Sequence, residues 1–327
     1  MYLEEKTSIN QMKTNSFYMD QLHSQTKYIS FRKRALKIKT IMSVLADFFR
    51  IRRIGFARFR VRLKAVFNKK TIEDYELSYS YDHSFEIDYS SNNKPTHRIA
   101  VYTSIFGNYD PLCEPLYVSP YCDYYAITDQ TIPSDSVWKA IDTSSIEGFS
   151  NLDNYHKSKY CKMFPHILFP EYDCSIWVDG NVQIVADLFP LYDRIPETHI
   201  IGMFQNPKHN CIYTESSYNV FLGNVNTKQM KRQIETYKKE GFPKQFGLRE
   251  FSIIVRKHHD PICIKLMNDW WTQVNTFTMR DQISFPYVLW KNGLTIDYVF
   301  LLGSNWRWNP RFICYPHNWH IRFRNDK

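Results

Sequence analysis

From Arg98 onward, short apolar runs alternate with longer stretches in which apolar residues recur at helical spacing. Arg98-Ile-Ala-Val-Tyr-Thr-Ser-Ile-Phe106, closed by Gly107, reads as a buried strand; Tyr124-Tyr-Ala-Ile-Thr-Asp129 is a second and Cys174-Ser-Ile-Trp-Val-Asp179 a third. Helical patterns cover Asn154 to Leu168, Asn226 to Glu240, Asp260 to Val274 and Asp281 to Lys291. Strands alternating with helices predict an α/β fold with a mostly parallel sheet flanked by helices. Ligands of such sheets sit at the carboxyl ends of the strands. That rule directs attention to Thr128-Asp129 and to Asp179-Gly-Asn181, each closing an apolar run.

The pattern before Arg98 is different. Met1 to Tyr28 is polar and unpatterned, whereas between Phe31 and Arg50 the residues Leu36, Ile38, Ile41, Val44, Leu45, Phe48 and Phe49 recur near helical spacing with cations between them. The segment 31–70 carries 14 Lys and Arg against one acid, Asp47, so it holds +13 of a chain whose total is +9 and whose remainder is near −4. One or two basic amphipathic helices are expected there, either packed on the rest of the protein with a solvated basic face or attached to an anionic membrane surface. Residues 71 to 97 read as a linker. The expected organisation is an extension over 1–96 and an α/β domain over 97–327. A nucleic-acid partner for the basic segment is not expected, because it would leave the acidic residues of the domain without a role.

Composition narrows the picture further. A chain of 327 residues that is 43% hydrophobic and 17% aromatic can bury one large core or two modest ones. The seven cysteines are widely spaced with no C-x-x-C pair, which fits a reducing compartment better than a disulfide framework. Glu4 and Glu5 follow Met1 where a signal peptide would be basic, and no run approaches the roughly 18 to 20 apolar residues of a spanning helix. A cytoplasmic location is expected, peripheral at the inner face of the membrane where the basic segment engages lipid.

In Asp179-Gly-Asn181 the glycine lets the chain turn and the asparagine offers a second oxygen two positions on. Hard oxygen ligands of this kind suit Mg or Mn and a diphosphate, although Asp-Gly and Gly-Asn are also ordinary turn formers. The surrounding run, Asn154-Tyr-His-Lys-Ser-Lys-Tyr-Cys-Lys162-Met-Phe-Pro-His166 through Ser175-Ile-Trp-Val-Asp179-Gly-Asn181, resembles a family of bacterial and plant proteins that includes the turgor-regulation-defect and mucilage-related proteins. Three further blocks resemble it in the same order: Asn206-Pro-Lys-His209-Asn-Cys211-Ile-Tyr213-Thr-Glu215; Gly241-Phe-Pro243 with Gly247-Leu-Arg-Glu250 and Arg256-Lys-His258; and Arg280-Asp281-Gln282-Ile-Ser284. The resemblance runs from about Arg98 to Val299. Ser252 departs from it where a Gly is expected, as do Lys157, Lys159 and Lys162 where Arg is commoner.

The resemblance implies a GT-A-like fold and a glycosyltransferase that uses a nucleotide-sugar donor, a divalent cation, Mn or Mg, and a glycan or lipid-linked acceptor. Carried over by position, Asp179 and Asn181 would bind the metal and diphosphate, with His317 as a late metal ligand; Thr103 and Asp129 would lie near the nucleoside. Lys159, Lys162 and His166 would face the departing diphosphate, joined by Arg280 in donor binding, unless they are a solvated helix face. His209, Tyr213 and Glu215, expected in a loop beside Pro207, would contact acceptor or sugar. Asp281 or Glu250 would deprotonate the acceptor hydroxyl, although Asp281 in the first turn of a helix is equally suited to stabilising the helix end. His258-His259 resembles a metal pair, yet adjacent histidines on a strand would point to opposite faces. The competing functions are a metal-dependent amidase or ceramide-type lipid hydrolase, a role proposed for plant relatives, and a non-catalytic nucleotide- or glycan-binding module. The hydrolase would need a His-rich ligand cluster that the sequence lacks.

Overall fold

The computed structural model describes residues 98–315 and His317; the basic segment 31–70 and the linker lie outside the described residues. The described chain divides into two compact units, one holding residues 98–206, 249–275 and 288 onward, the other Pro207–Leu248 and Thr276–Tyr287.

The first unit is built on a seven-stranded sheet. Its strands are β1 (Ile99–Ile105), β2 (Cys122–Thr128), β3 (Lys139–Ala140), β4 (Cys174–Val178), β6 (Ile201–Gln205), β7 (Arg249–Arg256) and β8 (Phe300–Gly303), in the order β3-β2-β1-β4-β7-β6-β8. Every neighbouring pair is parallel except those made by β7, which runs antiparallel to both β4 and β6. The expected α/β class with a mostly parallel sheet is therefore present. β1 is buried at every position and β4 likewise, as strands covered on both faces require. A second, two-stranded sheet pairs β5 (Val182–Ile184) with β9 (Phe312–Cys314) and brings the end of the described chain back beside the end of β4.

Helices α1 (Asn154–Met163) and α2 (Pro165–Leu168) precede β4. One continuous helix to Leu168 was expected; the chain instead breaks at Phe164, because Pro165 has no N–H to donate and its ring crowds the preceding turn. The short α3 (Phe189–Asp193) follows β5. After β7 comes α6 (Pro261–Thr276), which buries Cys263, Leu266, Met267, Trp270 and Val274 at helical spacing.

The second unit holds α4 (Ile212–Leu222), α5 (Thr227–Lys239) and the start of α7 (Asp281–Lys291). The Asn226 side chain caps α5 by accepting from the Lys228 and Gln229 amides. Met230, Gln233 and Tyr237 form its buried stripe. Gln233 accepts from the Thr278 hydroxyl at 2.6 Å, and Tyr237 stacks on Tyr287 with centroids 3.7 Å apart.

Core packing makes a first expectation. Ile176 is fully buried in β4 among Val101, Val178 and Val255. Ile176→Ala is expected to lower unfolding free energy by about 2–5 kcal/mol, whereas Leu301→Ala on the exposed part of β8 changes it by about 0.5 kcal/mol or less. Urea titration of the two variants measures the difference.

Candidate active site

The carboxyl end of β4 is where the expected chemistry gathers. Asp179 is held from behind: its amide donates to the Ser252 carbonyl of β7 at 2.9 Å, and its own carbonyl accepts from Val182 at 3.0 Å, closing a tight turn. Gly180 is required there, because a Cβ would stand 2.6 Å from Ile105 Cγ1. The turn and the ligand readings of Asp-Gly-Asn are thus compatible, since the turn aims the Asp179 carboxylate.

One oxygen of that carboxylate is already engaged. Asp179 Oδ1 accepts from Trp177 Nε1 at 2.7 Å and from Lys162 Nζ at 3.2 Å. Lys162 lies in the last turn of α1, its ammonium 5.4 Å from the Trp177 ring centroid, and its side chain is 5% exposed against 30% for Asp179. Oδ2 makes no hydrogen bond among the described residues.

Asn181 is tied to the returning C-terminal strand. Its Nδ2 donates to the Tyr315 carbonyl at 2.6 Å, and its carbonyl accepts from the Tyr315 amide at 2.9 Å. Cys314 lies alongside: burial raises its thiol, Arg307 opposes the rise, and the Asp179 and Glu250 carboxylates add to it. Glu250, buried near the start of β7, is 3.8 Å from Arg307. Asp179, Asn181, Glu250, Arg307 and Cys314 therefore share one neighbourhood. Further along, His317 Nδ1 contacts the buried Asp110 carboxylate at 2.8 Å, and its ring lies 5.1 Å from that of Tyr109. Among the described residues no group of three or more His, Cys, Asp or Glu is placed to hold a metal ion.

The remaining expected residues fall into place less uniformly. Asp129 closes β2 and accepts from the Gly107 amide at 2.7 Å, joining the loops after β1 and β2. Thr103 is not at a strand end: it lies within β1, buried, with no hydrogen bond to its hydroxyl among the described residues. Lys159 Nζ stands 5.9 Å from the Tyr155 ring. His166 is lowered by burial, with His259 and Arg256 adding to the effect, so at neutral pH it brings no positive charge.

His258 and His259 are not on a strand; they occupy the turn after β7, with ring centroids 4.6 Å apart. His258 is buried with Nε2 on the Phe169 carbonyl at 3.2 Å. Burial first, then Arg256 and His259, push it down to about 3.

In the helical unit, Tyr213 and Glu215 lie on α4 rather than in a loop, with only His209 before the helix. His209 Nδ1 is 2.5 Å from Glu215 Oε2, and Asn219 Nδ2 donates to Glu215 Oε1 at 2.7 Å. Tyr213 donates to the Phe242 carbonyl at 2.7 Å. These groups bind the loop to the helix. Asp281 is buried in the first turn of α7, next to Arg280.

Sequence reasoning passed over Trp177 as a donor to Asp179, Arg307 beside Glu250, and Asp110 beside His317. Asp110 had a local signal: it closes a loop in which Gly107 and Asn108 both have positive φ, directly after a buried strand.

A family model described as the TOD1/MUCI70 glycosyltransferase-like domain matches residues 76–302. The chain belongs to this family. Relatives of this TOD1/MUCI70 domain include the probable hexosyltransferase MUCI70 of Arabidopsis thaliana, 24% identical in an alignment of 233 positions that covers 62% of this chain and 39% of that protein. The chain thus spans only part of that relative's length. Similar solved structures are the bifunctional glycosyltransferase WbbM in its apo form (TM-score 0.41, 13% identity, 65% of this chain and 40% of that one) and the galactosyltransferase LgtC with donor and acceptor sugar analogs (TM-score 0.37, 15% identity, 64% and 74%). Mouse xyloside xylosyltransferase 1 has a TM-score of 0.38 at 10% identity, over 68% of this chain and 96% of that one.

Two expectations follow from the burial of charge in this member of the TOD1/MUCI70 family. Asp179→Asn strands the Lys162 ammonium, which water barely reaches, and is expected to destabilise by about 3 kcal/mol. Lys162→Met leaves a carboxylate that water does reach and should lower stability by about 1 kcal/mol or less. Equal losses in thermal melts would contradict this asymmetry. The second concerns His258, neutral in the folded chain down to about pH 3. Unfolding frees a histidine of ordinary value, about 6.5, so the unfolded chain takes up the proton first and stability falls as pH drops from about 6.5 toward 3. The slope contributed is up to ~1.4 kcal/mol per pH unit. Urea midpoints at pH 7 and pH 5 should lie closer together in His258→Asn than in the natural protein.

Proposed function

We propose that this chain is a glycosyltransferase with a GT-A-like domain. It moves a hexosyl or related sugar from a nucleotide-sugar donor to a glycan or lipid-linked acceptor in assembly of a surface polysaccharide. The observation that carries the reading is the Lys162–Asp179–Trp177 cluster at the carboxyl end of β4, beside Asn181 and the Glu250–Arg307 pair. Departure of a nucleoside diphosphate places negative charge at a strand end. Fixed cations there stabilise it more effectively than mobile solvent, because they are oriented before reaction begins.

The donor set fits a divalent ion shared with substrate. Hard cations such as Mg are commonly held by one or two carboxylates with phosphate oxygens completing the shell, and Asp179 Oδ2 has no partner among the described residues. Asp179 would hold Mn or Mg, with Asn181 adjacent; when bound, the ion supplies positive charge against the diphosphate. Lys162 keeps Asp179 oriented and sets a second positive charge beside it. Arg307, which interacts with Cys314 and lies 3.8 Å from Glu250, serves the same field. Glu250 is the favoured base for the acceptor hydroxyl because it shares this neighbourhood; Asp281 is the alternative. His317 would join the ion only by leaving Asp110 or through its other ring nitrogen. Segment 31–70, outside the described residues, is proposed to hold the enzyme at an anionic membrane surface on the cytoplasmic side.

The test is a thermal-shift screen of UDP-, GDP-, CMP- and dTDP-sugars, each with and without Mn. One nucleotide class should raise the melting temperature in the presence of Mn, and Asp179→Asn should abolish the metal-dependent part. No stabilisation by any member of the panel would overturn the transferase reading. Among folded variants, Glu250→Gln is expected to reduce turnover by roughly a hundredfold with donor affinity little changed.

A further inference from the structure

Arg256 is an anomaly of the core. It ends β7, is fully buried, and among the described residues pairs with no carboxylate. Taking a guanidinium out of water is expensive unless its donors are satisfied, and an apolar side chain of similar size is often the more stable choice at such a position. Its two terminal nitrogens reach three atoms, while Nε has no hydrogen-bond partner among the described residues. Nη1 donates to the Lys162 carbonyl at 2.6 Å and reaches Met267 Sδ at 3.4 Å, and Nη2 donates to the Tyr102 hydroxyl. Tyr102, itself fully buried in β1, donates in turn to the same Lys162 carbonyl at 3.3 Å.

Strand register explains how these residues meet. Tyr102 lies opposite Trp177, Trp177 opposite Ile254, and Arg256 opposite Ser175. Residues side by side in neighbouring strands, and residues two apart in one strand, share a face. Tyr102, Trp177 and Arg256 therefore project from one face of the sheet, the face that receives the end of α1. The Lys162 carbonyl belongs to the last turn of that helix, where carbonyls lie beyond the reach of the helix's own amides. It is gripped twice from the sheet, while the ammonium of the same residue rests on Asp179 beside Trp177.

We propose that Arg256 and Tyr102 are positioning residues, which grip the Lys162 main chain so that its ammonium is held against Asp179 for the transfer reaction. The proposal rests on the glycosyltransferase reading for its effect on rate, and on the geometry alone for its effect on Lys162. Burial raises the Tyr102 phenol well above its ordinary value, so the hydroxyl remains a proton donor throughout the working range.

The experiment uses the full chain labelled with 5-fluorotryptophan, in which the Trp177 signal is assigned by its loss in Trp177→Phe. Trp177 touches both Lys162 and Asp179, so its fluorine resonance reports where the ammonium lies. Tyr102→Phe, which removes only the hydroxyl, and Arg256→Met should each move this signal toward its position in Lys162→Met, and Arg256→Lys should restore part of the natural position. Adding Tyr102→Phe to Lys162→Met should move it no further. With the donor found in the screen, Tyr102→Phe should lower kcat by about tenfold to a hundredfold with KM for donor changed less than about twofold, and this loss should vanish in the Lys162→Met background. A merely structural role lowers the melting temperature without this coupling. If Tyr102→Phe and Arg256→Met fold and leave the Trp177 signal unmoved, the proposal is wrong. If the signal moves as expected but the natural protein transfers no sugar from any donor, the grip stands and the glycosyltransferase reading fails instead.

Discussion

Everything at the candidate site depends on fixing one carboxylate at the end of a buried strand. Asp179 could not face a near-buried lysine if its backbone were free, because the pair would gain little over solvated ions while losing the entropy of two ordered side chains. The chain removes that freedom by inserting β7 antiparallel beside β4. The Asp179 amide then closes on Ser252, and Gly180 allows the turn to pack against Ile105. β7 has a second effect, since it carries Glu250 at one end and Arg256 at the other. One irregular strand in a parallel sheet thus supplies the anchor, the candidate base and the buried cation behind the site.

Three buried arginines of the sheet unit share a habit: they bind carbonyl groups. Arg256 bonds the Lys162 carbonyl, Arg311 the Asp187 carbonyl at 2.6 Å, and Arg249 the Ile296 and Val299 carbonyls at 3.3 Å. A guanidinium used this way satisfies main-chain acceptors that have no helix or sheet partner. Burial first, with Arg256 and His259 adding to it, disfavours protonation of His166 and His258.

The helical unit behaves differently. Its polar residues close on one another, as in the His209–Glu215–Asn219 chain and the Thr278–Gln233 bond. Satisfied in this way, they order the loops rather than present free groups. That is why residues whose types suggested sugar contacts are found holding a loop to a helix. A buried histidine beside a glutamate looks the same in sequence whether it serves a ligand or a fold.

Read alone, the sequence settles what is local and what is repeated. β1, β2 and β4 and the helical stretches beginning near Asn154, Asn226, Asp260 and Asp281 follow from two periodicities and were read within about a turn of their true ends, whereas β6, β7 and α4 were not read; the break at Phe164 follows from Pro165 and was readable too, though one helix had been expected. The strand-end rule led to Asp179, the alternation of strands and helices to the α/β class, and the dispersed family blocks to the expectation of a GT-A-like form. Tertiary structure alone decided which groups those residues meet. Lys162 lies 17 residues from Asp179, but Arg256 lies 94 from Lys162 and His317 lies 207 from Asp110. Contacts at those separations are set by strand order and by the reversal of β7, and neither leaves a trace in hydrophobic spacing, because a strand has the same two-residue period whichever way it runs and whichever neighbour it joins.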